Sequence, residues 1–372
     1  MITHTLIATS AFGIESIVAK ELRRIDIHPE KIENGKVFFA GDERNIARAN
    51  IWLRCAERIV IQMSEFHATD FEELYQGTRA IAWEDMIPEN AKMHVVGKSV
   101  KSKLFSVPDC QSIVKRAIID AMQRRYKKER FLEDGPVYKI EISLLQDKAV
   151  LSLDTSGAGL HKRGYRTDAG EAPLKETTAA AMILLSGWKP GRLLCDPLCG
   201  SGTIPIEAAM IAHNMAPGLN RRFAAELWSG SRPDIWTQAR DEARGMKKNI
   251  ELEIMASDND YHVFKKALEN SSRAMVSEDI VFQKKPLSEF SSRKKFGCLI
   301  TNPPYGHRLG DERIAGDICS GLGELYKKLD TWSFFVLSAH EKFQEYFGMK
   351  ALKNRKMYNG KIKCYYYQYM RD

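Results

Sequence analysis

The tetrapeptide Asn302-Pro303-Pro304-Tyr305 follows the apolar run Phe296 to Ile300 and sets an amide, two ring-stiffened units and a phenol at the end of a strand signal. An amide oxygen and a proline carbonyl held in a stiff loop can each accept a hydrogen from a planar aromatic amine, and a neighbouring phenol ring can stack on the extruded base. Upstream lies Asp196-Pro197-Leu198-Cys199-Gly200-Ser201-Gly202-Thr203, a Gly-rich turn between a second short apolar strand and the helix signal Ile204 to Ala212. Together the two loops suggest methyl transfer to an exocyclic amine.

Asp196 stands at the strand end, where its carboxylate is expected to face a crevice. Pro197 stiffens the exit, and Gly200 and Gly202 permit a close backbone turn around a bulky ligand. Backbone donors at the start of the helix suit the carboxylate of S-adenosylmethionine, and would also suit phosphate. Pro205 occupies the last glycine position of a dinucleotide fingerprint and no Walker lysine follows, which sets aside dinucleotides and nucleoside triphosphates. Asp258 is the preferred acceptor for ribose hydroxyls, with Asp260 its competitor; either could instead cap the helix carrying Val263, Phe264 and Ala267. Thr177 and Glu176 are candidates for the methionine end. His307 and Arg308 could touch phosphate or substrate edges, or simply be solvated.

These residues need a sheet behind them. Strand signals at Arg192 to Cys195, Glu251 to Ala256, Ile280 to Gln283, Phe296 to Thr301 and Ser333 to Leu337 are separated largely by helical patterns, which argues for an open α/β sheet with its ligand crevice at the strand ends. Asp154 to Arg166, with Gly157, Gly159 and Gly164, reads as the connection from an earlier half. In that half Thr5 to Thr9, Val37 to Ala40 and Arg58 to Met63 are strands with helices between them, compatible with a ferredoxin-like unit. Helix near Phe71 to Ala80, strand Ala91 to Gly97, a basic helix after Ser112 and strands Val137 to Leu145 and Ala149 to Leu153 follow. No nucleotide loop or clustered acid, base and nucleophile lies in this half, which reads as substrate recruitment.

A chain of 372 residues with 44% hydrophobic content can bury the cores of two or three domains. No stretch approaches eighteen apolar residues and the start lacks a secretory pattern, so the expected place is the cytosol. Seven cysteines without regular spacing imply no disulfide scaffold. Cys195 and Cys199 lack a second ligand pair, and no metal site is expected. The net charge of +8 is concentrated locally. Lys115, Arg116, Arg124, Arg125, Lys127, Lys128 and Arg130 crowd one helix whose buried stripe would be Val114, Ala117, Ile118, Ala121 and Met122. Lys350, Lys353, Arg355, Lys356, Lys361 and Lys363 interleave with Tyr358, Tyr365, Tyr366 and Tyr367. Cations beside rings can neutralise phosphates and stack bases, although the alternation through Tyr365 to Tyr369 also fits a strand. From these groups, Arg124, Arg125, Lys127, Lys128, Lys353, Arg355 and Lys356 are the expected nucleic-acid contacts.

The strings HKRGYR at His161 to Arg166, APLKET at Ala172 to Thr177, DPLCGSGTIPIEAAM at Asp196 to Met210, ASDND at Ala256 to Asp260 and TNPPYGHRLG at Thr301 to Gly310 carry a resemblance over essentially the whole chain. It resembles the THUMP-containing bacterial 23S rRNA guanine-N2 methyltransferases, members of the class I S-adenosylmethionine-dependent Asn-Pro-Pro-Tyr group. The resemblance implies an α/β fold in which a Rossmann-like methyltransferase domain at 160–372 is preceded by a ferredoxin-like segment at 1–60 and a THUMP RNA-binding domain at 61–155. It assigns the cofactor S-adenosylmethionine to Asp196 through Thr203, the ribose contact to Asp258 and catalysis to Asn302 through Tyr305. The implied partner is structured RNA, large-subunit rRNA or an assembly intermediate, with no obligate protein partner. Adenine N6 of RNA or DNA is the competing substrate, and a noncatalytic ribosome-assembly protein the competing class. Leu198 replaces the phenylalanine often found in the family's loop. The family's acidic adenine contact falls near Pro286, which leaves Asp279 and Glu289 as substitutes.

Overall fold

The computed structural model describes residues 2–166, 174–305 and 311–371. The first half contains β1 (His4–Ser10), α1 (Glu15–Arg24), β2 (Pro29–Glu33), β3 (Lys36–Gly41), α2 (Glu43–Trp52), β4 (Ala56–His67), α3 (Phe71–Arg79), β5 (Lys92–Val100), α4 (Val107–Tyr126), β6 (Val137–Leu145) and β7 (Lys148–Asp154). Its strands form one sheet in the order β2-β3-β1-β4-β7-β6-β5. Two sequence-distinct units therefore share a sheet, and the expected division between residues 60 and 61 falls inside β4. That twelve-residue strand pairs with β1 up to Ile61 and with β7 from Val60 to His67, so it belongs to both units.

Helix starts follow local chemistry. Asp42 caps α2 and forms a reciprocal capping box with Asn45, while Asp70 accepts from the Glu73 amide to start α3. In α4 the buried stripe is Cys110, Val114, Ala117, Ile118, Ala121 and Met122, as helical spacing predicts. The basic end falls at the helix C-terminus, where cations offset the negative end of the backbone dipole.

The second half contains α5 (Glu176–Ser186), β8 (Leu194–Asp196), α6 (Thr203–Ala212), α7 (Pro233–Gly245), β9 (Ile254–Asp258), α8 (Tyr261–Arg273), β10 (Ile280–Lys284), β11 (Cys298–Thr301), α9 (Asp311–Lys328), β12 (Ser333–Ser338), α10 (Phe343–Phe347), β13 (Lys353–Asn359) and β14 (Ile362–Tyr369). The sheet order is β10-β9-β8-β11-β12-β14-β13. From β10 to β12 the strands are parallel, and β14 runs antiparallel to both its neighbours. Chain order reverses beside β8, between β9 and β11, and the outlets of those strands bound a crevice.

A buried ion pair and a close backbone approach are among the contacts that dock the halves. Arg163, in the connection, sits between Glu207 of α6 at 3.3 Å and the carbonyls of Leu160 and Arg54, at 2.6 and 2.5 Å, and the Tyr165 hydroxyl reaches the same Glu207 at 3.2 Å. Desolvating two charges is costly, and the surrounding carbonyl and hydroxyl partners are what make this pair tenable. At the opposite edge, Gly13 (φ +94°) lies so close to the Lys356 carbonyl of β13 that any Cβ would overlap it. No helix among the described residues is long and apolar enough to cross a membrane.

Candidate active-site crevice

Asp196 ends β8 and is buried. Its Oδ1 accepts from the Thr301 hydroxyl at 2.7 Å and from the Leu198 amide at 3.2 Å. The carboxyl expected to face the crevice is thus turned onto the neighbouring strand, because β8 and β11 pair in register immediately before it. Burial pushes its pKa up to about 7, against the opposing effect of these two donors. Nothing in the sequence marks Thr301 beyond its place directly before Asn302, on a strand adjacent to β8.

The glycine loop turns as its composition requires. Gly200 and Gly202 have φ +54° and +81°. A Cβ on Gly202 would press within 3.1 Å of Ala267 Cβ on α8, whereas one on Gly200 would meet no heavy atom within 4 Å. Open space at Gly200 is the room a ligand needs. The Ser201 carbonyl is held by Asn270 Nδ2 at 3.0 Å, the Pro197 carbonyl faces the Ser257 hydroxyl at 3.5 Å, and Thr203 opens α6.

Asp258 closes the other wall. Its Oδ2 accepts from the Gly200 amide and its Oδ1 from the Asp260 amide, both at 2.9 Å. The carboxylate is fixed yet only half-buried, and its remaining lone pairs suit the paired hydroxyl donors of a ribose. Asp260 instead caps α8, accepting from the amides of His262 and Val263. Fixed acidic acceptor, open glycine turn and helix start together fit the ribose and amino-acid portions of S-adenosylmethionine. Of the two adenine candidates, Asp279 precedes β10 at the end away from the crevice and pairs with His213 at 2.8 Å. Glu289 is exposed on the turn after β10.

The catalytic-loop candidate leaves β11 beside this wall. Pro303 is buried and Pro304 exposed. Tyr305 donates its hydroxyl to Asn302 Oδ1 at 2.5 Å, lies 3.5 Å from Cys364 Sγ on β14, and is within hydrogen-bonding reach of the Asn359 side chain. Burial keeps the phenol protonated, with its pKa well above the ordinary value. Its ring packs partly against the core, so Tyr305 orients Asn302 as well as bordering the opening. An amide oxygen has two lone pairs, which leaves one for a second donor.

Thr177 is buried in α5 and its hydroxyl donates to Glu57 of β4 at 3.0 Å. Lys175 and His161 reach the same carboxylate at 3.1 and 3.4 Å. Burial opposes ionisation of Glu57, but these partners hold its pKa at about 2. The structure therefore places Thr177 on the seam between halves. Arg166 donates to Thr203 Oγ1 at 2.5 Å and pairs with Glu176 at 3.6 Å, linking the connection to the first residue of α6. Ala172, His307 and Arg308 lie outside the described residues.

Arg124, Arg125, Lys127 and Lys128 are all exposed, with Lys128 paired to Glu89 at 2.7 Å and Lys127 at the left-handed helix end. Lys353, Arg355 and Lys356 lie on β13. Arg355 turns inward and donates to the Gly13 carbonyl at 2.8 Å, which makes it a docking contact between halves. Cys195 and Cys199 are buried and free.

Residues 163–368 match the family described as the RMKL-like methyltransferase domain, residues 5–60 the RlmL ferredoxin-like domain and residues 68–154 the THUMP domain. The chain is 48% identical to YpsC of Bacillus subtilis (strain 168), whose name provisionally calls it an RNA methyltransferase, over 98% of this chain and 96% of that one. A predicted N6-adenine-specific DNA methylase from Listeria monocytogenes str. 4b F2365 superposes with TM-score 0.94 at 46% identity, covering 100% of this chain and 97% of that one. SMU.472, also named provisionally as a methyltransferase and complexed with SAH, gives TM-score 0.94 at 43% identity, covering 100% and 99%.

Proposed function

The chain belongs to the RMKL-like methyltransferase family, and from that premise we propose that it transfers a methyl group from S-adenosylmethionine to the N2 amine of a guanine in large-subunit rRNA, in the cytoplasm. The observation that carries the reading is Asn302, an amide acceptor oriented by Tyr305 at the outlet of β11 and coupled through Thr301 to the Asp196 wall. RNA is favoured by the THUMP match, by the name of the Bacillus relative and by the exposed cations Arg124, Arg125, Lys127 and Lys128.

When bound, S-adenosylmethionine supplies an electrophilic methyl group. Asp258 would hold its ribose, and the Gly200 to Thr203 turn its amino-acid end, with Asp196 and Pro197 supporting the turn from beneath. Thr177 would act from the seam, through Glu57. The amine of guanine has its lone pair delocalised into the ring, so prior deprotonation is costly. Asn302 Oδ1 and the Pro303 carbonyl would each accept one amine hydrogen and aim the nitrogen. Both bonds strengthen as the nitrogen becomes positive, which stabilises the transition state without a charged base. Pro303 and Pro304 limit loop freedom, and the exposed part of Tyr305 is available to stack on the base.

A second reading, N6 of adenine in DNA or RNA, takes its support from the name of the Listeria relative, since the loop accepts any planar amine. Labelled methyl transfer to rRNA from cells lacking the protein, followed by nucleoside digestion, separates the two. N2-methylguanosine is expected; N6-methyladenine would replace the guanine reading.

A further inference from the structure

One face of the β13–β14 pair carries an arrangement that the crevice does not use. Lys356 is opposite Tyr365 and Tyr358 is opposite Lys363, so cation and ring alternate both along and across the strands. Lys363 Nζ lies 5.2 Å from the Tyr365 ring centroid, and Lys356 Nζ lies 5.6 Å from that of Tyr358. A third ring arrives from the other half of the molecule. Phe12 stands 5.7 Å from Lys356 Nζ and meets Tyr358 edge-on at 6.3 Å, put there by the close approach of Gly13 to β13. Phe12 is 42% exposed, both lysines are exposed and both tyrosines are half-buried. Glu341 is a carboxylate whose charge reaches Lys363.

The strip adjoins the catalytic loop. Successive strand residues face opposite ways, so Cys364, between Lys363 and Tyr365, points to Tyr305 while its neighbours point outward. Asn359, directly after Tyr358, also reaches Tyr305, and exposed Lys361 stands at the hairpin turn. From that turn the surface runs through two rungs about 7 Å apart to Phe12. Rings with mobile ammonium groups lying over them at the surface match a strand whose bases are unpaired, because a duplex buries its base faces.

We propose that this strip binds the single-stranded RNA adjoining the target nucleotide, with bases stacked on Phe12, Tyr358 and Tyr365 and phosphates on Lys356, Lys361 and Lys363. The inference rests on RNA being the substrate. It makes the ferredoxin-like unit part of the substrate track, since Phe12 completes a surface otherwise built by the methyltransferase sheet.

The test uses the full chain and binding to deproteinised large-subunit rRNA from cells lacking the protein, to a single-stranded oligoribonucleotide, to the same sequence as single-stranded DNA, and to a blunt RNA duplex. Phe12→Ala with Tyr358→Ala should weaken rRNA binding about tenfold or more with little change in salt slope. Lys356→Ala with Lys363→Ala should weaken it and flatten the log–log salt slope by about 1.4, the release expected from two phosphates. Phe12→Trp keeps a ring and should restore binding lost in Phe12→Ala. Affinity for S-adenosylmethionine should stay within about twofold throughout. A lowered melting temperature with unchanged rRNA affinity would make the strip domain glue and overturn the proposal, as would equal binding of the duplex or a preference for DNA. If the wild-type protein methylates no RNA, the proposed function fails separately, while the binding series still judges the strip.

Discussion

Thr301 donates its hydroxyl to Asp196 at 2.7 Å, fastening the end of β11 to the end of β8. The residue before the catalytic-loop candidate and the residue opening the cofactor-loop candidate therefore move together. A shift of either loop alone would break a buried hydrogen bond, at a cost of roughly 1–3 kcal/mol.

Asp196 should give the free protein a measurable pH signature. Its folded pKa is about 7 against 3.8 for an ordinary aspartate, because burial disfavours the charge. Between those values the unfolded chain has released a proton that the folded chain retains, so stability falls as pH rises from about 4 to about 7 and then levels. Asp196→Asn lacks that dependence. The wild-type minus variant difference in unfolding free energy should drop by about 4 kcal/mol between pH 4 and pH 8 in denaturant titrations without ligand. A flat difference would show that the native carboxyl is already ionised.

Asn302→Ala should separate binding from turnover. The lost acceptor acts chiefly in the transition state, so kcat should fall by about a hundredfold or more while S-adenosylmethionine affinity by calorimetry changes little. Tyr305→Phe keeps the acceptor but removes the donor that orients it, and a smaller loss, about tenfold, is expected. Normal turnover by Asn302→Ala would remove this residue from the chemistry.

The two loop glycines should respond differently to alanine. Both need a left-handed backbone, which costs an L residue about 1–2 kcal/mol. Gly202→Ala adds a tight 3.1 Å contact with Ala267 Cβ, and its melting temperature should drop further. Gly200→Ala projects into open space, so its main defect should be weakened S-adenosylmethionine binding. Paired thermal melts and calorimetry would read both effects.

Neutralising Arg124, Arg125, Lys127 and Lys128 together should weaken binding to structured RNA and flatten its salt dependence, with S-adenosylmethionine affinity unchanged. Wild-type binding across a salt series would leave these cations as compensation for the C-terminal end of α4.

The sequence shows clearly the parts of the fold that are contiguous and patterned. Strand β6 and the buried stripe of α4 follow from alternation and helical spacing, β7 from its nearly continuous apolar run, and the candidate loops are unbroken strings. Strands β2 and β13 carry no such pattern. Pro29–Glu33 is mostly exposed, and Lys353–Asn359 reads as a basic group because, at a sheet edge, polar residues need no apolar alternation. Partners that meet only in three dimensions were also hidden. Glu57 gives no sign in β4 that it will receive Thr177, Lys175 and His161, and Asp258 gives none that a Gly200 amide will fix it.

The position of β14 bears on how this protein is made. Residues 362–369 lie between β12 and β13, and neither of those strands touches the other without them. The first half precedes this whole sheet in the chain, so it can fold around its own seven strands before β14 is made. Tyr305 acquires its Cys364 neighbour only with that last insertion. A nascent chain can thus complete its recruiting half first, and its catalytic loop is fully supported only once residues 362–369 have joined the sheet.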